Sequence, residues 1–210
     1  MELSNYEKTR LRVLAELPQH DLSAAARKFG LPEDEDGVYL TFVGRNYRIG
    51  KTDGSIRCSD DGFAASPEAG FDETLAICDL LLDSAPDCAP TGVYCRLGSL
   101  PAMTRTASAP TDDGLTDGPA AMIQTDPERF CSACERLGGE RFGQGDLSYR
   151  VPIFQKLCAQ LQFWFRDEEY PPQLNILWDS GISRYVRYET AWYIRSHLLR
   201  RLREEMERSL

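Results

Sequence analysis

Long apolar runs are missing from this sequence. No stretch approaches the ~20 apolar residues that a membrane-spanning helix needs. The first segment, residues 1–17, also lacks the apolar centre of a signal peptide. These absences predict a soluble, cytoplasmic protein with no membrane partner.

An excess of positive charge is missing too. The formal net charge is −9, whereas a nucleic-acid partner requires clustered Lys and Arg that neutralise phosphates. Basic residues do gather between Arg184 and Arg208, but Glu204, Glu205 and Glu207 are interleaved with them. This mixture is typical of a solvated helix face, so we expect no nucleic-acid partner.

Complete catalytic motifs are also absent. The histidines are His20 and His197, no GxSxG motif is present, and we expect His197 to lie on the surface of a helix. The glycine-rich segment 138–146 follows a predicted helix and precedes a predicted strand, which is the reverse of a phosphate-binding loop. No catalytic residue is assigned and no cofactor is expected, so the sequence favours a role other than catalysis.

The seven cysteines form no second CxxC pair beside Cys131 and Cys134. An odd number without an export signal predicts free thiols rather than a disulfide framework. We interpret Cys131 and Cys134 as two small residues on a helix. A redox-active thiol lies at a helix N-terminus beside free backbone amides, whereas this helix is predicted to begin several residues before Cys131. The alternative is a metal- or thiol-dependent site formed by Cys131, Cys134 and Cys158.

The N-terminal third combines two helices with a hairpin. Apolar spacing predicts a helical pair over residues 5–30, in which Asp21 caps the second helix and Gly30 ends it. Alternating apolar residues then predict a hairpin over residues 38–58, with Gly44-Arg45-Asn46 in its turn.

In the middle of the chain, Asp72 is predicted to cap a further helix. Residues 99–122 are rich in Ala, Thr, Asp, Gly and Pro and predict a long surface loop or a disordered segment, with a functional lid as the alternative. Thr125-Asp126-Pro127-Glu128 reads as a capping box that begins another helix.

The strongest pattern lies in the C-terminal meander plus helix, residues 147–208. Three alternating stretches predict antiparallel strands with one apolar face, joined by a turn at Arg166–Pro172. The final helix places an apolar stripe over that face, with Arg195 inside the stripe. We therefore predict one α+β domain over residues 1–210, with antiparallel β-meanders covered by helices and a long C-terminal helix packed on the sheet.

Acidic residues gather on and beside this meander. They are Asp146, Asp167, Glu168, Glu169, Asp179 and Glu189. Converging carboxylates bind hard cations, so these residues with Arg195 are candidates for a cation or polar-ligand site. The alternative is a solubilising turn whose carboxylates pair with Arg195 or Arg184. We expect Arg195 to meet a carboxylate of this region in either case.

The same stretch resembles the DUF3786 family. The residues that carry the resemblance are Val151-Pro152, Phe163-Trp164-Phe165, Asp167-x-Glu169-Tyr170-Pro171, Leu177-Trp178-Asp179-Ser180, Tyr185 and Glu189. The resemblance implies a cytoplasmic context and an indirect link to corrinoid or iron–sulfur metabolism, since some family members carry an iron–sulfur module. This chain has no compact four-cysteine run of that kind, and the family supplies no catalytic residue to carry over.

Three functional hypotheses follow. The first is a non-catalytic binding or accessory protein that presents the meander turn and the long loop to a protein partner or a small ligand. The second is a metal- or thiol-dependent protein that uses Cys131 and Cys134. The third is a divalent-cation-dependent hydrolase or transferase that uses the acidic residues. The absence of a complete catalytic motif favours the first.

Overall fold

An antiparallel sheet of eight strands is the framework of the structure, a computed structural model that describes residues 3–59, 63, 66–100 and 114–208. The strands are β1 Gly37–Phe42, β2 Arg45–Gly50, β3 Ile56–Ser59, β4 Tyr94–Cys95, β5 Glu140–Arg141, β6 Leu147–Phe154, β7 Leu157–Trp164 and β8 Gln173–Asp179. The helices are α1 Asn5–Glu16, α2 Leu22–Phe29, α3 Phe71–Cys78, α4 Asp117–Thr125, α5 Pro127–Arg136 and α6 Tyr188–Glu207. The predicted α+β class is confirmed.

The strand order is β3-β2-β1-β6-β7-β8-β4, and β5 pairs with β6. The sheet has two parts, because β1 and β6 pair only where Phe42 lies opposite Phe154. A backbone bond from Val43 N to Ile153 O, 3.0 Å long, lies at the same place. From this point the two strands diverge.

The predicted C-terminal meander is confirmed. Tyr149 of β6 lies opposite Leu161 of β7, which in turn lies opposite Ile176 of β8. Tyr149 and Leu161 are buried, so the alternation in the sequence does mark the face turned to the core. Helix α6 packs against α3 and α5. It also contacts the sheet, since the His197 ring stacks on Phe42 of β1.

The first hairpin is confirmed, but its predicted turn is displaced. Val43 and Gly44 form the turn, with φ of 46° and 67°, and Arg45 already lies opposite Phe42 in β2. A two-residue turn with two positive φ angles matches the twist of the paired strands. A side chain at Gly44 would come within 2.9 Å of Leu137 Cα, which explains glycine there.

Helix ends follow the predicted chemistry only in part. Asp21 Oδ1 accepts a hydrogen bond from Ala24 N at 2.9 Å, and Gly30 has the left-handed φ of 63°, as predicted for α2. Helix α3 begins differently, because Gly70 is its N-cap and the Glu73 side chain accepts from Gly70 N. Asp72 therefore lies in the first turn of α3 rather than at its cap.

The predicted loop over residues 99–122 is wrong in its last part. Asp117–Thr125 is α4, which buries Ala120 and Ile123, so packing overrides a loop-like composition. Residues 101–113 of that prediction lie outside the described residues. Helix α5 begins where predicted, but Asp126 is its cap and accepts from Arg129 N at 3.1 Å. Within the described ranges, no helix is long and apolar enough to cross a membrane.

Candidate functional site

A pocket of about 350 Å³ opens beside the end of the meander, between β8, α4 and α6. We call it the Trp192 pocket. Its lining residues are Arg96, Leu97, Gly98, Thr116, Asp117, Ala120, Pro171, Pro172, Gln173, Leu174, Asn175, Ile176, Trp178, Trp192 and Arg195. The predicted meander turn contributes the two prolines, and the residues flanking segment 101–113 form the opposite wall. The pocket therefore includes residues from the meander turn and from the described part of segment 99–122, the two features that the sequence singled out for binding.

Trp192 is the distinctive residue of this pocket. Its indole Nε1 is buried, and it is the one such side-chain nitrogen or oxygen of the described residues that has no hydrogen-bond partner. Leaving a buried donor unbonded costs about 1–3 kcal/mol, so such groups are rare in folded proteins and need an explanation. Trp178 also lines the pocket and is almost fully buried.

Arg195 lies over the ring of Trp192. Its guanidinium carbon is 5.1 Å from the centre of the Trp192 ring, which is a cation–π distance. This contact explains how a charge is accommodated in the apolar stripe of α6. The predicted ion pair of Arg195 with a carboxylate stays a prediction. Arg184, the other basic residue considered, pairs with Asp87.

Among the described residues that line the pocket, positive charge predominates. Arg96 and Arg195 carry two positive charges, and Asp117 carries one negative charge. The chain as a whole has a net charge of −9, so this lining has the opposite sign to the rest of the molecule. Thr116 and Asp117 also bring the N-terminus of α4 to the pocket, where backbone amides favour negative charge.

The acidic residues of the predicted site have separate local partners. Asp179 is buried and accepts from the backbone N–H groups of Thr91, Gly92 and Gly181 at 2.8–2.9 Å. Through these hydrogen bonds, Asp179 links the segment before β4 to the end of β8. Asp146 Oδ2 accepts from Phe165 N at 2.8 Å.

Asp167 has a similar local role. It is exposed and accepts from the N–H groups of Glu169 and Tyr170, and these bonds hold its pKa below the ordinary range. Glu168, Glu169 and Glu189 are exposed. Among the described residues, no group of three or more His, Cys, Asp or Glu side chains could hold a metal ion. The cation site over these acids stays a prediction.

The three cysteines of the alternative site differ in exposure. Cys134 is fully buried on α5, and burial raises the pKa of its thiol well above the ordinary value. Cys131 and Cys158 are half-buried. Burial also raises the pKa of Cys158, although the nearby Arg150 opposes that shift. Raised pKa values disfavour the thiolate that thiol chemistry and metal binding require. The thiol site also stays a prediction.

Sequence reasoning missed a second polar region, which we call the buried polar cluster: Tyr47, Glu73, His197, Arg201 and Glu205. Each of these residues is at most 5% exposed. The expectation that His197 lies on the surface is wrong, and so is the solvated-face interpretation of Arg201 and Glu205. Helix α6 is covered by the sheet, α3 and α5 together, so its buried face is wider than one apolar stripe.

In one half of this cluster, a chain of hydrogen bonds links Arg200, His197, Tyr47 and Glu73. Arg200 donates to His197 Nδ1 at 2.9 Å, which leaves the proton of neutral His197 on Nε2, 3.4 Å from the Tyr47 hydroxyl. Tyr47 donates to Glu73 Oε1 at 3.1 Å. Burial, and then the charges of Arg200, Arg201 and Arg45, hold the pKa of His197 well below its ordinary value.

The other half is built on ion pairs. Arg201 contacts Glu205 at 2.8 Å and Glu204 at 2.7 Å, and Arg136 of α5 contacts Glu205 at 3.1 Å. Arg201 also donates to the Val43 carbonyl in the first hairpin turn. These contacts fasten α6 to α5 and to the sheet. The i,i+4 spacing of Arg201 and Glu205 was the one sign of this pair in the sequence.

The fold and its two polar regions define an α+β protein with a helix-covered antiparallel sheet and a pocket beside β8 whose described lining is net positive. The chain belongs to the family described as Domain of unknown function (DUF3786), whose model matches residues 21–201. The resemblance noted from the sequence motifs is thereby confirmed. No curated protein and no solved structure matches the chain.

Proposed function

We propose that this chain is a non-catalytic binding protein that holds a small oxyanion, a carboxylate or phosphate group, in the Trp192 pocket. The observation that carries the proposal is the buried indole N–H of Trp192 without a partner among the described residues. Binding that turns the Trp192 ring enough to bring its Nε1 to the pocket surface would let an acceptor oxygen of a ligand satisfy this donor and remove the cost of leaving it unbonded.

Charge selects an anionic ligand over a neutral one. Arg96 supplies a guanidinium group, which binds carboxylate and phosphate in a fixed geometry, and the positive charge of Arg195, which has contacts of its own, adds to the attraction. Asp117 opposes them with one charge. The amide groups of Gln173 and Asn175 add neutral polar partners for the remainder of the ligand.

Size limits the ligand further. Small-molecule pockets have volumes of roughly 300–1,000 Å³, and the Trp192 pocket is at the lower end of that range. It suits a short carboxylic acid or a phosphate ester rather than a nucleotide cofactor.

Isothermal titration calorimetry with succinate and with inorganic phosphate tests the proposal, and sodium chloride at equal ionic strength controls for unspecific screening. We expect binding of at least one oxyanion by the wild type and a loss of about tenfold in affinity or more, about 1.4 kcal/mol, for Trp192→Phe. Trp164→Phe is the matched control, because Trp164 does not line the pocket. The proposal fails if neither anion binds, or if both variants bind as the wild type does.

We further propose the accessory role in corrinoid or iron–sulfur metabolism, and the cytoplasmic location, that the family resemblance implies. Its support is the family membership alone. A strain that lacks this chain should lose activity of corrinoid or iron–sulfur enzymes. Unchanged activities would remove this link without affecting the binding proposal.

A further inference from the structure

A second cavity, of about 600 Å³, lies where β1 and β6 diverge. We call it the hairpin cleft. Its walls come from β1 and β2, the end of α5, and the turn between β6 and β7. It is separate from the Trp192 pocket, since no lining residue is shared.

Apolar and aromatic groups dominate the cleft. Pro32, Tyr39, Phe63 and Pro152 line it, and the Tyr39 and Phe63 rings lie 5.9 Å apart between centres. Arg136 is the single charged residue of the described lining, and its guanidinium is already bonded to Glu205. An ionic ligand would therefore find no available counter-charge in this wall.

Neutral polar groups are placed among the apolar ones. The Thr41 hydroxyl donates to Asn46 Oδ1 at 2.9 Å. This bond uses the amide oxygen of Asn46 and not its N–H₂ group, which is a hydrogen-bond donor. Gln155 adds a second amide at the turn after β6. These groups suit one or two hydrogen bonds to an otherwise apolar molecule.

The backbone at both ends of the cleft is unusual. Val43 and Gln155 are the non-glycine residues with positive φ in the described part of the chain, at 46° and 52°, and both line the cleft. Left-handed backbone costs a residue with a side chain about 1–2 kcal/mol. Such strain gathers at ligand sites, where the surrounding fold holds the backbone in place.

We infer that the hairpin cleft binds a neutral, mainly apolar small molecule with a ring that packs against the Tyr39–Phe63 aromatic pair. The bound molecule would bridge the two parts of the sheet, which pair at a single residue pair. This inference does not depend on oxyanion binding in the Trp192 pocket.

Fluorescence titration with Nile red, a neutral apolar dye, tests the inference. The wild type should bind the dye in a saturable way. Thr41→Trp, which fills the cleft from an exposed position, should weaken binding about tenfold or more, and succinate binding should not change. Arg141→Trp adds the same side chain to exposed strand β5, outside the cleft, and should bind as the wild type does.

Thr41→Phe serves as a smaller filling variant if Thr41→Trp does not fold by circular dichroism. Absence of dye binding by the wild type would overturn the inference. So would full binding by the folded Thr41 variant, or an equal loss in Arg141→Trp, because either result would place the dye elsewhere on the surface.

Discussion

The buried polar cluster and the Trp192 pocket both place polar groups on α6 out of contact with water, but only one of them completes its hydrogen bonds internally. In the cluster, His197, Tyr47 and Glu73 bond to each other, and Arg201 bonds to Glu205. At the pocket, the Trp192 indole N–H has no partner among the described residues.

This difference separates structure from binding. A buried charge that the fold itself neutralises holds helices in place and leaves no group for a ligand. A buried donor beside a cavity has a bond still to make, and a ligand can make it. The cluster contains the more chemically reactive residue types, yet the pocket is the better candidate for a binding site.

The largest expected effect comes from breaking the cluster. Glu205→Ala removes the carboxylate that Arg201 and Arg136 share, and it should lower the free energy of unfolding by about 3–5 kcal/mol because the buried Arg201 loses its buried partner and keeps only the more exposed Glu204. Urea denaturation measures the change. Glu207→Ala, at an exposed position on the same helix, should change it by less than about 1 kcal/mol. Equal effects of the two variants would mean that the cluster is not structural.

Lowering the pH should destabilise the folded chain through His197 of the same cluster. Neutral His197 has a folded-state pKa well below its ordinary value of about 6.5, so the unfolded chain takes up a proton that the folded chain does not. The contribution of neutral His197 to the free energy of unfolding is therefore complete above about pH 6.5. It is lost as the pH falls below that value, at up to ~1.4 kcal/mol per pH unit.

Unfolding free energies between pH 4.5 and pH 7.5 measure this effect as the difference between wild type and His197→Gln. The groups that face His197 are Tyr47, Glu73, Arg45, Arg200 and Arg201. His20→Gln is the control at an exposed position. A pH dependence that is the same in His197→Gln and in the wild type would contradict the assignment.

The smallest expected effect on stability comes from removing one polar group in the buried polar cluster and one at the Trp192 pocket. Tyr47→Phe and Trp192→Phe each remove one polar group from a buried or half-buried ring. Tyr47→Phe should cost about 1–3 kcal/mol, because Glu73 loses a donor, whereas Trp192→Phe should cost less than about 1 kcal/mol, because no hydrogen bond to a described residue is lost. Thermal and urea denaturation of both variants check this. Similar costs would erase the distinction on which the binding proposal rests.

Local patterns in the sequence predicted the local parts of the fold. The alternation from Leu147 onward defined the meander, and Asp21 and Gly30 marked the ends of α2, because strand faces and helix caps depend on neighbouring residues. Helix α4 was missed, since burial of Ala120 and Ile123 by distant elements outweighs a loop-like composition.

The sites were less predictable. Arg195 and the meander turn were identified as a binding region from the sequence, and both contribute to the Trp192 pocket. The buried His197 and the Trp192 indole, which has no partner among the described residues, were not identified, because burial on several sides of α6 depends on α3 and α5 packing together against it. Spacing on one helix cannot show how many neighbours that helix has.

The indole N–H signals in a ¹H–¹⁵N NMR titration report directly on whether Trp192 meets a bound anion. The chain has three tryptophans, so three indole signals are expected, and the Trp→Phe variants assign them. Succinate or phosphate, raised to about 20 mM to saturate a site with a Kd of about 1 mM, should shift the Trp192 signal in a saturable way and leave the Trp164 signal in place. A Trp192 signal that does not move with either anion, or that moves no more than the Trp164 signal, would contradict oxyanion binding in the Trp192 pocket.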